Sequence, residues 1–231
     1  MEQGRALAER LGRIRERIAL AATRAGRTPG SVHLLAVTKG FGASAVRAAM
    51  ALGLNEFGEN RVQEADAKIP EVGPGPRWHL IGHLQRNKAK RAVALFEEIH
   101  SLDGESLVAE VGRRATDLGR VVPCYAEVNT SGDPGKHGAA PGAALRLLER
   151  ARLEGAIRLQ GLMTIGPLHG GPEGARTSFR LLARLRDEAV AAGLLDRDAG
   201  LSMGMTDDYE IAIEEGSTVV RLGSALFGAR A

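Results

Sequence analysis

The sequence predicts a single (β/α)8 barrel with an extra helix ahead of its first strand. Three observations lead there. Short runs rich in Val, Leu, Ile and Ala alternate eight times with segments of helical spacing. The runs are apolar nearly throughout, which is the mark of parallel strands buried on both faces. Across 231 residues no change of composition and no linker separates one half from the other, so residues 1–231 read as one domain.

The elements follow in order. Residues 4–25 carry Leu7, Leu11, Ile14, Ile18 and Ala21 or Ala22 at helical spacing with arginines opposite, a helix within residues 1–30 that packs on the barrel. Val32 to Thr38 is the first strand, closing on Lys39 and broken by Gly40. Ala43 to Leu52 is an alanine-rich helix stopped by Gly53, and residues 54–58 form a short second strand. A helix over 61–69 gives way to a loop at 70–76 that holds three Pro and two Gly. The third strand is 78–82, followed by a helix at 87–96. The fourth is 99–102, with a helix at 104–118. The fifth is 121–128, with a helix at 141–153. The sixth is 157–164, with a helix at 174–192. The seventh is 200–203, with a helix at 207–215, and the eighth is 218–222.

Composition excludes several classes. The 31 basic and 28 acidic residues leave +3, with arginine scattered over helical segments rather than gathered in a stripe, and 3% aromatic content leaves little for base stacking. No nucleic-acid partner is expected. Cys124 is alone, so neither an internal disulfide nor a cysteine metal cluster can form, and it reads as a small buried apolar residue. The amphipathic N-terminus lacks a signal-peptide core and no segment reads as a membrane span. The expectation is a cytoplasmic protein, and barrel closure makes a monomer feasible.

Chemistry in such barrels sits at the carboxyl ends of the strands. Lys39 is placed there, and partial burial would favour the neutral amine that attacks aldehydes. A lone strand-end lysine is more often a snorkelling side chain. Two further loops change that balance. Ser202-Met203-Gly204-Met205-Thr206 runs into a helix start capped by Thr206 or Asp207, and Arg221-Leu222-Gly223-Ser224 ends the eighth strand; loops seven and eight are where barrels frequently bind phosphate. Alternation with Val219 and Gly223 turns Arg221 into the barrel mouth, where a cation is costly unless a phosphate, a carboxylate such as Glu59 or a ring nitrogen uses it. Lysine, phosphate cradle and cation together form a kit for pyridoxal 5'-phosphate (PLP). An arginine at the ring nitrogen would keep it unprotonated and weaken the cofactor as an electron sink.

The motifs AVTK ending at Lys39, FGENRVQEA at 57–65, WHLIGHLQRNK at 78–88, VNTSGDPGKHG at 128–138, GLMTIGP at 161–167, LSMGMTDDYEIAI at 201–213 and GSTVVRLGSALFGAR at 216–230 resemble the YggS/PROSC family of pyridoxal phosphate homeostasis proteins. The resemblance spans nearly the whole chain. It implies a fold like the N-terminal barrel of alanine racemase, with PLP held as an aldimine on Lys39. It also implies phosphate contacts from Ser202, Met203, Gly223 and Ser224, Arg221 near the ring nitrogen, Asn60 near the ring, and a secondary contact from Lys136. His83, beside Gln85, Asn87 and Lys88, is a further secondary contact. Arg61 departs from the aromatic residue often found after the Asn60 position.

Other polar residues take plainer readings. His79 and His83 are four apart but span strand and loop, so helical ligand spacing does not apply and no metal site is expected. His100, His137 and His169 show no acid-base partner in the sequence. Two functional classes remain. The first is a binding protein that carries, buffers or regulates PLP without catalytic residues, with PLP-dependent apo-enzymes as recipients. The second is a racemase of the alanine racemase type, for which Tyr125 and Tyr209, both inside predicted elements, are poor second bases.

Overall fold

A computed structural model describes residues 2–229. Arg230, the last residue of the final motif, lies outside the described residues. Eight parallel strands close into a barrel in sequence order: β1 His33–Val37, β2 Glu56–Glu59, β3 Arg77–Leu80, β4 Glu98–Leu102, β5 Val122–Glu127, β6 Ile157–Met163, β7 Gly200–Ser202 and β8 Val219–Leu222. Closure comes from β8 pairing with β1, His33 opposite Val219 and Leu35 opposite Arg221. The helices are α1 Glu2–Arg24, α2 Ala43–Met50, α3 Val62–Val72, α4 Ala89–Leu95, α5 Glu105–Asp117, α6 Ala144–Arg152, α7 Gly171–Ala191, α8 Tyr209–Glu214 and α9 Ser224–Phe227. No helix among the described residues is long and apolar enough to cross a membrane.

The apolar matter is divided unequally. The large core lies between strands and helices and is built around Phe57, Phe96 and Phe179, all fully buried. Leu7, Leu11, Ile14 and Ile18 lay α1 against α8 and α9, as the helical spacing predicts. Inside the barrel the apolar cluster is small: Leu35, Val37 and Ile81, with Val219 against it. Much of the remaining interior is polar, and it positions the site.

Three of the differences from the sequence expectation have clear physical reasons. Helix α3 continues through Pro70 to Val72 instead of ending at 69. Proline there forfeits only the bond to the carbonyl of Asp66, in a last turn that closes from the Gly73 amide to the Ile69 carbonyl (3.1 Å). Helix α7 starts at Gly171, three residues early, because Pro172 suits the first turn. The one-turn helix α9 was not foreseen, since four residues carry no periodicity.

Strands β6 and β7 approach closely where Gly161 faces Gly200. Gly161 has φ of 150°, and a Cβ on it would overlap the Gly200 carbonyl. Gly161→Ala is therefore expected to lower unfolding free energy in urea by at least about 2 kcal/mol. Gly142→Ala, where a Cβ meets open space, should change it by less than about 0.5 kcal/mol.

Candidate functional site

The strand ends of β1 and β8 and the loop after β7 enclose a cavity of about 220 Å³. Lys39, Asn60, Arg221, Gly223 and Ser224 line it, which brings together five of the seven sequence candidates. Val37, Ile81 and Ile165 supply apolar wall, and Met205, Thr206 and Asp207 the remaining edge. Lys39 and Asn60 also line a cleft of about 360 Å³ beside Gly40, Arg61 and Glu64.

The lysine's segment is locked by a buried network. Lys68, 6% exposed, donates from Nζ to Glu59 Oε1 (2.5 Å), the Thr38 carbonyl (2.7 Å) and Glu64 Oε1 (3.1 Å). Glu59 also accepts from the Thr38 hydroxyl (2.6 Å), and Glu64 from the Gly40 amide (2.6 Å). Both neighbours of Lys39 in the chain are thereby held by α3. Burial pushes the Glu59 carboxyl up, against the opposing pull of Lys68 and Thr38. Glu59 thus pairs with Lys68 and not with Arg221. Lys68 was missed in the sequence, although it stands three residues after Ala65 and one before Ile69 on the apolar face of its helix.

Arg221 lies inside the barrel, as alternation along β8 predicts, and is 4% exposed. Its guanidinium donates to the Ser202 carbonyl (2.5 Å), the Ser202 hydroxyl (2.9 Å) and the Thr164 carbonyl (2.7 Å). All three partners are neutral. Among the described residues no carboxylate lies within 4.0 Å of it. Burial pulls its pKa down to about 10, against Glu127 and Asp208 at longer range. A guanidinium keeps its charge even so, which leaves an uncompensated cation at the cavity floor.

Loops seven and eight are stitched together by Thr206. Its hydroxyl lies 3.0 Å from the Ser224 hydroxyl and accepts from the Ala225 amide (3.2 Å). Gly223 packs closely on the end of β1, where a Cβ would sit 3.2 Å from the Val37 carbonyl. Thr206, read from sequence only as a helix cap, is a cavity residue, and its place within the SMGMT run was the available signal. Ser202 and Met203 do not line the cavity: the Ser202 hydroxyl is taken by Arg221 and His100, and the Met203 amide donates to the Val219 carbonyl (3.1 Å).

His83 lies in an adjoining cleft of about 550 Å³ that shares Asn60, with Nδ1 2.9 Å from Asp103 Oδ2 and its ring stacked on His137 at 3.7 Å. Those ring planes are 7° apart, so one ion cannot lie in both, which disfavours joint ligation as placed. Lys136 donates from Nζ to the Gly166 carbonyl, next to the cavity residue Ile165, and does not itself line the Lys39 cavity. His79, Glu98 and His100 gather inside the barrel, with His79 Nδ1 3.2 Å from His100 Nε2 and 3.3 Å from Glu98 Oε2. The partner for His100 that the sequence did not reveal is therefore present.

Fold and cavity define a lysine-bearing barrel of the alanine racemase type. The family model "Alanine racemase, N-terminal domain" matches residues 10–231. Curated relatives include pyridoxal phosphate homeostasis proteins of Aquifex aeolicus, 40% identical over 96% of this chain and 97% of that protein, and of Pseudomonas aeruginosa, 42% identical over 97% and 96%. The chain belongs to the pyridoxal phosphate homeostasis protein family. Among solved structures, PipY of Synechococcus elongatus "with PLP bound" superposes with a TM-score of 0.84 at 37% identity, covering 96% of this chain and 100% of that one. Alanine racemase of Bartonella henselae, 13% identical with a TM-score of 0.75 over 98% of this chain and 59% of that one, shares the fold.

Glu127, 3% exposed at the end of β5, was also missed. Burial and then Asp103 raise its carboxyl to about 7 from an ordinary 4.5, against the pull of Arg221. The folded protein then keeps a proton that the unfolded chain releases, so stability should fall as pH rises from about 4.5 to 7 and level off above. Glu127→Gln should remove that decline, on the order of 3 kcal/mol, when urea unfolding is compared at the two ends of the window.

Proposed function

We propose that this chain is a PLP-binding protein that holds the cofactor covalently at Lys39 and serves PLP homeostasis as a carrier, buffer or regulator. The observation that carries the reading is a buried guanidinium without a direct carboxylate partner, facing the same cavity as a strand-end lysine and a pair of hydroxyls. The donor set fits the cofactor. Arg221 offers N–H groups to a ring nitrogen, Thr206, Gly223 and Ser224 surround the place for a phosphate, and Asn60 Oδ1 is buried without a hydrogen-bond partner at the cavity edge. Bound PLP supplies an aldehyde that a lysine amine captures. Ser202 acts on this reading by holding Arg221. His83 and Lys136 remain secondary contacts at the rim. The likeness to a PLP-bound relative at 37% identity supports the assignment. We place the protein in the cytoplasm as a monomer, with PLP-dependent apo-enzymes as recipients.

The racemase reading is the weaker one. Tyr125 is buried inside the barrel with its ring 4.5 Å from that of His100, and Tyr209 is buried on α8 beside Arg17. Neither lines the cavity, so neither is placed as a second base. An arginine at the ring nitrogen also disfavours carbanion chemistry.

Protein mixed with PLP should become yellow, and borohydride should fix the cofactor on the peptide that contains Lys39. Lys39→Ala should abolish that label with little change in thermal midpoint. Label on Lys136 or Lys88 instead would refute the placement. Solvent deuterium should enter the α-carbon of L- or D-alanine far more slowly than in a racemase; exchange at a racemase's rate would favour the enzyme.

A further inference from the structure

Hydrogen-bond accounting inside the barrel leads beyond that reading. Arg221 has donors only, so the Ser202 hydroxyl accepts from Nη1 at 2.9 Å. The single proton of that hydroxyl is left for its other neighbour, His100 Nδ1, also at 2.9 Å. His100 Nδ1 is then an acceptor, and the imidazole is neutral with its proton on Nε2. That N–H points to His79 Nδ1 at 3.2 Å, with Glu98 Oε1 beyond at 3.8 Å. The direction of each bond from Arg221 through Ser202 and His100 to His79 follows from the one group that cannot accept.

A protonated His100 would break this order. The Ser202 oxygen would face two donors, and its own proton would lose its acceptor in a region without water contact, since Ser202 is fully buried and His100 1% exposed. Burial, and then the nearby Arg221 guanidinium, oppose protonation as well.

We infer that His100, on β4, is a positioning residue for the cofactor cavity: by accepting the Ser202 proton it fixes the hydroxyl that holds the Arg221 guanidinium against the ring of the bound cofactor. The inference rests on the proposed PLP reading. Its substance is the route from β4 across the barrel to β8, two strands that are not neighbours in the sheet.

Three variants test it in the full-length protein. His100→Leu removes the acceptor at similar volume, Ser202→Ala removes the hydroxyl, and His100→Asn can restore an acceptor near Nδ1. His100→Leu and Ser202→Ala should each shift the absorbance maximum of bound PLP and weaken its affinity about tenfold, and together they should do no more than either alone. His100→Asn should return the maximum to the parent position. If His100→Leu does not fold, Ser202→Ala carries the same reading. In protein without PLP, nitrogen-15 long-range spectra should find the His100 proton on Nε2 and the ring neutral from about pH 5 to 8. Parent maximum and affinity in both Ser202→Ala and a folded His100→Leu, or a proton on Nδ1, would overturn the inference. A parent protein that binds no PLP would instead sink the cofactor reading, while the tautomer measurement would still judge the network.

Discussion

The structure is organised by the cation inside its barrel. Arg221 stands on the strand that closes the ring, and its guanidinium ties β8 to the ends of β6 and β7 through Thr164 and Ser202. A buried guanidinium loses its hydration, and neutral oxygens recover only part of that loss. A carboxylate in direct contact would recover more but would quench the charge. Glu127 and Asp208 pull on the cation from beyond hydrogen-bond range. What remains is a charge with donors to spare at the floor of a cavity, an arrangement whose stability cost makes sense when a ligand acceptor completes it.

The lysine's segment is made rigid in another way. Thr38 and Gly40, on either side of Lys39, are bonded to side chains of a single network running from β2 through α3. Lys68 is therefore as much a part of the site's architecture as the residues that line it. Removing Lys68 would leave the carboxylate of Glu59 buried without its counter-charge, which is costlier than removing the pair.

Much of the fold was legible because burial on both faces writes parallel strands as apolar runs, and the eight runs lie where the strands do. The lysine, the arginine and loops seven and eight were legible because each stands at a strand end, where alternation and topology dictate direction. The illegible parts depend on register around the barrel. His100 and Ser202 are 102 positions apart and meet only because the strands are staggered, and nothing in their spacing announces it. Lys68 was hidden by its charge, which suggested solvent while its helical position indicated the core. Thr206 was visible in its motif but assigned to capping, since a hydroxyl at a helix start serves either purpose.

The polar interior also bears on the choice between the two proposed readings, binding protein and racemase. A protonated ring nitrogen makes the ring a stronger electron sink, and two-base racemisation on the ring calls for a base opposite the lysine. A cation that does not release its proton weakens the first, and the placement of both tyrosines away from the cavity leaves the second without a phenol. The carboxylates nearby do not obviously repair this: Glu59 is committed to Lys68 and Thr38, Glu64 to Lys68 and the Gly40 amide, and Asp208 to the Met205 amide. Asp207 lines the cavity, but on the loop that carries Thr206, where an anionic tail would repel its charge. On the proposed reading, the groups that would hold the cofactor are committed to holding it, and none of those named is placed as a second base.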